Sequence, residues 1–163
     1  MAKIELPEHI LNTLSTVLQQ LQQSLPELKQ IPDLSAHAYK WQQGELKPIH
    51  QLRQMELADL KGIERQKEKV IQNTLQFLNG LPANDVLLTG SRGTGKSSIV
   101  RALLTEYADQ GLRLIEIERD DLSDLPQIQQ LIAERPEKFI VYCDDLAFNA
   151  EDENYRSLKS VLD

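Results

Sequence analysis

The sequence predicts an α/β fold: three α/β/α layers around a parallel sheet, incomplete toward its C-terminal end and preceded by an α-helical N-terminal region. Three observations carry that expectation. The run Gly90-Ser91-Arg92-Gly93-Thr94-Gly95-Lys96-Ser97 fits the phosphate-loop pattern G-x-x-x-x-G-K-[ST], with a short apolar run before it and a helical pattern after it. A second apolar run, 139–143, ends in Asp144-Asp145. Between them strand-like and helix-like patterns alternate, which predicts a parallel sheet covered on both faces through right-handed crossovers.

The elements follow in order. Over 8–29 the residues Ile10, Leu11, Leu14, Leu18, Leu21, Leu25 and Leu28 recur at three- and four-residue spacings, the mark of an amphipathic helix bent or broken at Pro26. Segment 31–48, with two prolines and Gly44, reads as a connector with one helical turn, anchored by Trp41 against a core. A helix then runs to about Leu78, where Asn79-Gly80 stops it. These features divide the chain into a helical region and connector over 1–56 and the start of a nucleotide-binding domain over 57–163.

Val86-Leu87-Leu88-Thr89 reads as a strand buried on both faces, leading into the glycine-rich loop. A helix over 97–107 follows, with Ile99, Val100, Leu103 and Leu104 facing inward, and Gly111 ends the turn after it. Strand 112–117 comes next. Asp121, Ser123 or Asp124 can cap a helix to about Glu134, before Pro136 breaks the chain. Strand 139–143 and a last helix over 154–162 complete the pattern.

Composition bounds the function. The chain has 163 residues, 40% of them hydrophobic, and no low-complexity tract or repeat, as expected of a globular protein. Its 18 basic and 25 acidic residues give a net charge of -7, which argues against a broadly basic nucleic-acid surface. Glu5, Pro7 and Glu8 interrupt the N-terminus where a secretory signal needs an apolar core, and no later stretch approaches the roughly 18 apolar residues of a spanning helix. A cytoplasmic location with no membrane partner is therefore expected. Cys143, the single cysteine, reads as a small buried residue, and His9, His37 and His50 lack metal-ligand spacing.

The chemistry resides in the two motifs. Gly93 and Gly95 let a loop aim backbone N–H groups at one anion, and the following helix turns its positive end the same way. Lys96 places a charge against the outer phosphates and also serves catalysis, while the Ser97 hydroxyl suits Mg²⁺. Asp144, at the end of a buried strand, is positioned to help hold Mg²⁺ through water. Asp145 could orient and deprotonate the attacking water; its shorter side chain, where most such enzymes carry Glu, makes hydrolysis a weaker inference than binding. No Asn-Lys-x-Asp element reads guanine, so ATP is favoured.

These residues resemble the AAA+ ATPases. The resemblance is nearer still to a bacterial ATP-binding family known as the domain of unknown function 815, itself similar to helicase-loader and IstB-like transposition-helper ATPases. It runs from about residue 60 to 163, through Gly62-Ile63-Glu64-Arg65-Gln66, the loop from Gly90 to Ser98, the segment 111–116, the run 139–145, and Tyr155 with Leu158-Lys159-Ser160. The resemblance implies that Gly62 and Ile63 line the adenine pocket. Ser91-Arg92 replaces the usual Pro-Pro of the loop without touching the required positions.

It also implies a strand order of 5-1-4-3-2, with a fourth strand from later sequence between the strand before the loop and the strand before Asp144. The fifth strand, a sensor residue, a neighbour-completing arginine and a helical lid would follow as well. The chain is accordingly expected to be truncated, and poorly active if expressed alone. The function implied is ATP binding and Mg²⁺-dependent hydrolysis by a homo-oligomer that remodels a protein or nucleoprotein partner. A nucleotide-dependent switch with little turnover is the alternative. A small-molecule kinase fits less well, because such kinases generally lack the second acid after the Mg²⁺ aspartate.

Overall fold

The computed structural model describes residues 34–146; the helices expected over 8–29 and 154–162 lie outside the described residues. Within them the elements are β1 (Ala38–Gln42), β2 (Glu45–Pro48), α1 (Glu64–Leu78), α2 (Lys96–Tyr107), β3 (Leu112–Ile117), α3 (Leu125–Ile132) and β4 (Lys138–Cys143). Short 3-10 turns at Leu57–Asp59, Ala108–Gln110 and Arg119–Asp124 join them. The sheet order is β2-β1-β3-β4. β1 and β4 both run parallel to β3, and β2 is antiparallel to β1.

Alternation along the central strands builds two cores. On β3, Leu112 and Leu114 face one side and Ile115 and Ile117 the other, all four buried. The first side packs against Ile99, Val100, Leu103 and Leu104 of α2, with Val70, Ile71 and Leu75 of α1 behind. On the second side Ile128 and Leu125 of α3 meet Tyr39, Trp41, Ile115 and Phe139. The outcome is the expected three-layer α/β/α arrangement.

The sheet is not purely parallel, and its N-terminal edge corrects the reading of 31–48 as a connector with a helical turn. Residues 38–48 of that segment are a β-hairpin, with Tyr39 paired to Pro48 and Gln42 to Glu45. Gln43 and Gly44 at its tip both have positive φ, 54° and 78°, as a two-residue type I′ turn demands. Gln-Gly is a poor match to the Asn-Gly or Asp-Gly signal of such turns, so nothing local announced the hairpin. Tertiary packing overrides that weak local preference: β1 takes the free edge of β3, and Tyr39 and Trp41 point into the second core with no exposed surface. Lys47 and Pro48 blunt the new outer edge.

Trp41 therefore anchors a strand. Its indole Nε1 donates to Asp124 Oδ2 at 2.9 Å, joining β1 to the turn before α3. Asp124 is the N-cap residue of α3 but makes no side-chain cap bond, because its carboxylate is turned to the indole. Replacing Trp41 by alanine empties a fully buried site and leaves that carboxylate without its N–H donor. We expect a loss of about 3–5 kcal/mol in urea unfolding, a large share of a typical domain's stability. A midpoint unchanged from the parent would show that β1 is not integral to the fold.

A second correction concerns 86–89. Expected as a strand buried on both faces, this segment is irregular in the structure, with Val86 48% and Leu87 75% exposed. A strand exists only where a neighbour supplies its ladder of hydrogen bonds. Among the described residues the sheet ends at β4, and no strand lies between β4 and 86–89 to supply that ladder. The apolar pattern is present; its partner is not among these residues.

Candidate nucleotide site

The glycine-rich loop leads into α2, which starts at Lys96 with Gly95 as its N-cap residue. Gly95 has φ 90°, a left-handed conformation that suits glycine, and a Cβ built there would lie 3.6 Å from Ile63 Cδ1. Thr94 Oγ1 donates to the Ser91 carbonyl at 2.8 Å and braces the turn internally. Lys96 curls back over the loop, donating from Nζ to the carbonyls of Gly90 and Ser91, both at 2.9 Å. Gly93 is also left-handed, while Arg92 and Gly93 stay exposed at the loop's outer surface, and Ser98 sits half-buried in the first turn of α2.

The two motifs meet at this helix end. Ser97 Oγ donates to Asp144 Oδ2 at 2.8 Å, across a separation of 47 residues in the chain. The second oxygen, Asp144 Oδ1, accepts the N–H of Asp145 at 3.0 Å. Burial pushes the Asp144 carboxyl upward, but the donors from Ser97, Tyr142 and the Asp145 N–H, with the charge of Lys96, outweigh it and hold it below the usual carboxylate value. Asp144 is thus a carboxylate at any working pH. Asp145 is left-handed, with φ 52°, one of two non-glycine residues of positive φ among those described.

A serine hydroxyl and a carboxylate side by side are hard oxygen donors of the kind Mg²⁺ takes. No group of three or more His, Cys, Asp or Glu side chains is placed to cage a metal among the described residues. Mg²⁺ rarely needs such a cage, since it is commonly held by one or two protein oxygens together with substrate phosphates and water. The donor set therefore fits a Mg²⁺ that arrives with a nucleotide.

A cavity of about 450 Å³ opens at the C-terminal ends of β1, β3 and β4, with Arg101, Glu116, Tyr142, Asp144 and Asp145 on its walls. Ligands of α/β sheets bind at this end of the strands. Lys40 and Glu118 close one rim with an ion pair at 2.7 Å. A larger groove, about 550 Å³, runs along α1; neither space is lined by residues from Gly90 to Ser97, and it is the smaller one that has Asp144 and Asp145 on its walls.

Gly62 and Ile63 precede α1. The Gly62 N–H donates to Glu64 Oε1 at 2.9 Å, and Ile63 reaches the phosphate loop through Gly95. Lys67, which sequence reasoning passed over, fixes this approach by donating from Nζ to the carbonyls of Leu57 and Leu60 at 2.9 and 3.1 Å. Tyr142 was missed too. It shares the cavity wall with Asp144, and burial pushes its pKa up to about 12. Only its place two residues before Asp144, on the same face of β4, could have pointed to it. Cys143, half-buried, is pushed by burial up to about 11 and is an inert thiol.

A glycine-rich loop at the start of a helix, in a three-layer α/β/α fold and meeting an aspartate at the end of β4, is the architecture of an incomplete P-loop fold. The chain belongs to the family described as protein of unknown function DUF815, matched over residues 34–163. That match begins just before the hairpin, in keeping with β1 and β2 as part of the fold. The chain is also similar to the Replication factor C large subunit of Methanococcus maripaludis strain C7, 29% identical over 84 residues, 52% of this chain. It covers only 17% of that protein's length. No solved structure matches the chain. Among the described residues no helix is long and apolar enough to cross a membrane.

Proposed function

We propose that this protein binds ATP with Mg²⁺ and hydrolyses it, acting as a cytoplasmic homo-oligomer that remodels a protein or nucleoprotein partner. The observation that carries the nucleotide chemistry is the 2.8 Å bond from Ser97 Oγ to Asp144 Oδ2 at the start of α2. Two segments distant in sequence have no other evident reason to bring a hydroxyl and a carboxylate together beside a glycine-rich turn. Similarity to the Replication factor C large subunit supports an ATPase of this general class and, by its name, an assembly of subunits.

The residues divide the work. Loop N–H groups and the end of α2 receive the phosphates, and Lys96 leaves the carbonyls of Gly90 and Ser91 to pair with them. Ser97 and Asp144 hold Mg²⁺, which neutralises charge on the outer phosphates when bound. Ile63, against Gly95, offers an apolar surface to the base. Asp145 orients the attacking water and takes its proton.

A second reading, a nucleotide-dependent switch with negligible turnover, is favoured by one feature. Asp145 sits in a left-handed turn with its N–H tied to Asp144, and its side chain is one methylene shorter than Glu. Steady-state phosphate release from the full-length protein, measured with ATP and Mg²⁺ in the presence and absence of DNA, separates the two. We expect turnover; tight ATP binding without phosphate release would select the switch.

A further inference from the structure

We infer that Lys67 is a positioning residue for the base end of the nucleotide site: its ammonium ties down the backbone that carries Ile63, and so sets the apolar surface offered to the base beside the phosphate loop. The inference rests on the ATP reading of this site and concerns its base end alone. α1 opens at Glu64, and of residues 64–69 only Lys67 is half-buried, the others being exposed. A cation within about one turn of a helix start lies toward the positive end of the helix dipole, an unfavourable place for it. Two acceptors offset that cost here. Nζ donates to the Leu57 carbonyl at 2.9 Å and to the Leu60 carbonyl at 3.1 Å, charge-assisted bonds of the stronger kind.

These bonds act on a stretch with little structure of its own. Between β2 and α1 the regular element is the short 3-10 turn Leu57–Asp59. Leu60, just after it, is buried in the first core, and Leu57 and Ile63 pack half-buried against that core. Gly62 has φ 77°, a left-handed turn suited to glycine, and its N–H is held by Glu64 Oε1 at 2.9 Å. Lys67 binds this stretch at both ends: its backbone N–H donates to the Ile63 carbonyl at 2.9 Å, while its ammonium reaches back to Leu57 and Leu60. Ile63 Cδ1 then lies 3.6 Å from where a Cβ on Gly95 would stand. Without the ammonium the two carbonyls turn to water and the stretch 57–63 gains conformers, which base binding must order again. The phosphate loop keeps its own bonds from Thr94 and Lys96.

Lys67→Met deletes the ammonium and keeps an unbranched stem. The test is calorimetric titration of the full-length protein, in Mg²⁺, with ATP and separately with ribose triphosphate, which lacks only the base. The Kd for ATP should rise about 3- to 10-fold, the effect of ordering a loosened segment on binding, while affinity for ribose triphosphate stays at the parental value. In a cycle with Ile63→Ala the losses in ATP affinity should be non-additive, because Lys67 acts through Ile63. Unchanged ATP affinity in Lys67→Met, equal losses for the two ligands, or additive losses in the cycle overturns the proposal and leaves the phosphate-loop reading standing. A parent that binds ATP no more tightly than ribose triphosphate overturns the proposal together with the role of Ile63, and a parent that binds neither overturns the nucleotide reading as well. If Lys67→Met melts below the assay temperature, Lys67→Arg, which keeps a cationic donor on a long stem, should hold the ratio of the two affinities closer to the parent than Lys67→Gln, whose neutral amide ends one bond short; equal ratios in these two variants also overturn the proposal.

Discussion

Replacing Lys96 by alanine is expected to lower ATP affinity about 100-fold or more in titration of the full-length protein, with little change in its melting temperature. The ammonium now rests on two loop carbonyls at 2.9 Å, a position from which a small swing of a flexible side chain reaches any anion held by the same loop. Hydrogen bonds between charged groups contribute about 1.5–3 kcal/mol each, so losing two to the outer phosphates removes about 3 kcal/mol or more, a factor of 100 or above. The carbonyls uncovered by the substitution belong to exposed residues and can turn to water, so the fold should not notice. Lys96→Arg is the informative companion: a planar guanidinium keeps the charge but not the compact point geometry, and should recover only part of the affinity. Parental affinity in Lys96→Ala would mean that the glycine-rich turn is not a phosphate loop.

How far the sequence disclosed this site depends on where each residue's partners lie. α2, β3 and β4 were readable to within a residue, because each carries its own periodicity and ends on a local stop or motif. The Ser97–Asp144 contact was readable as chemistry, since the two motifs have meaning only together. The β1–β2 hairpin was not: its turn is Gln43-Gly44, and its stability comes from Tyr39 and Trp41 packing on residues more than seventy positions later. The segment 86–89 failed in the opposite sense, with a good strand pattern that has no ladder neighbour among the described residues. Tyr142 and Lys67 were hidden by residue type, a tyrosine counting as one more apolar strand residue and a lysine as one more solvated helix charge. What makes Lys67 matter is its hydrogen bonds to the carbonyls of Leu57 and Leu60, and what makes Tyr142 matter is its place beside Asp144 on the cavity wall.

Asp145→Asn should leave ATP binding within a few-fold of the parent and reduce phosphate release about 10²- to 10⁴-fold, the usual contribution of a positioned general base. The substitution isolates charge from shape. Asn tolerates a left-handed backbone as well as Asp does, so the φ of 52° and the N–H bond to Asp144 Oδ1 should survive. The Ser97–Asp144 pair should survive too, and with it the Mg²⁺ dependence of binding. Asp145→Glu asks about reach. Glu brings the carboxylate further out but accepts positive φ less readily, so faster turnover in this variant would show that side-chain length limits the parent, and slower turnover that the turn itself sets the geometry. If Asp145→Asn releases phosphate at the parental rate, the water is activated elsewhere and Asp145 is only the residue whose N–H steadies Asp144.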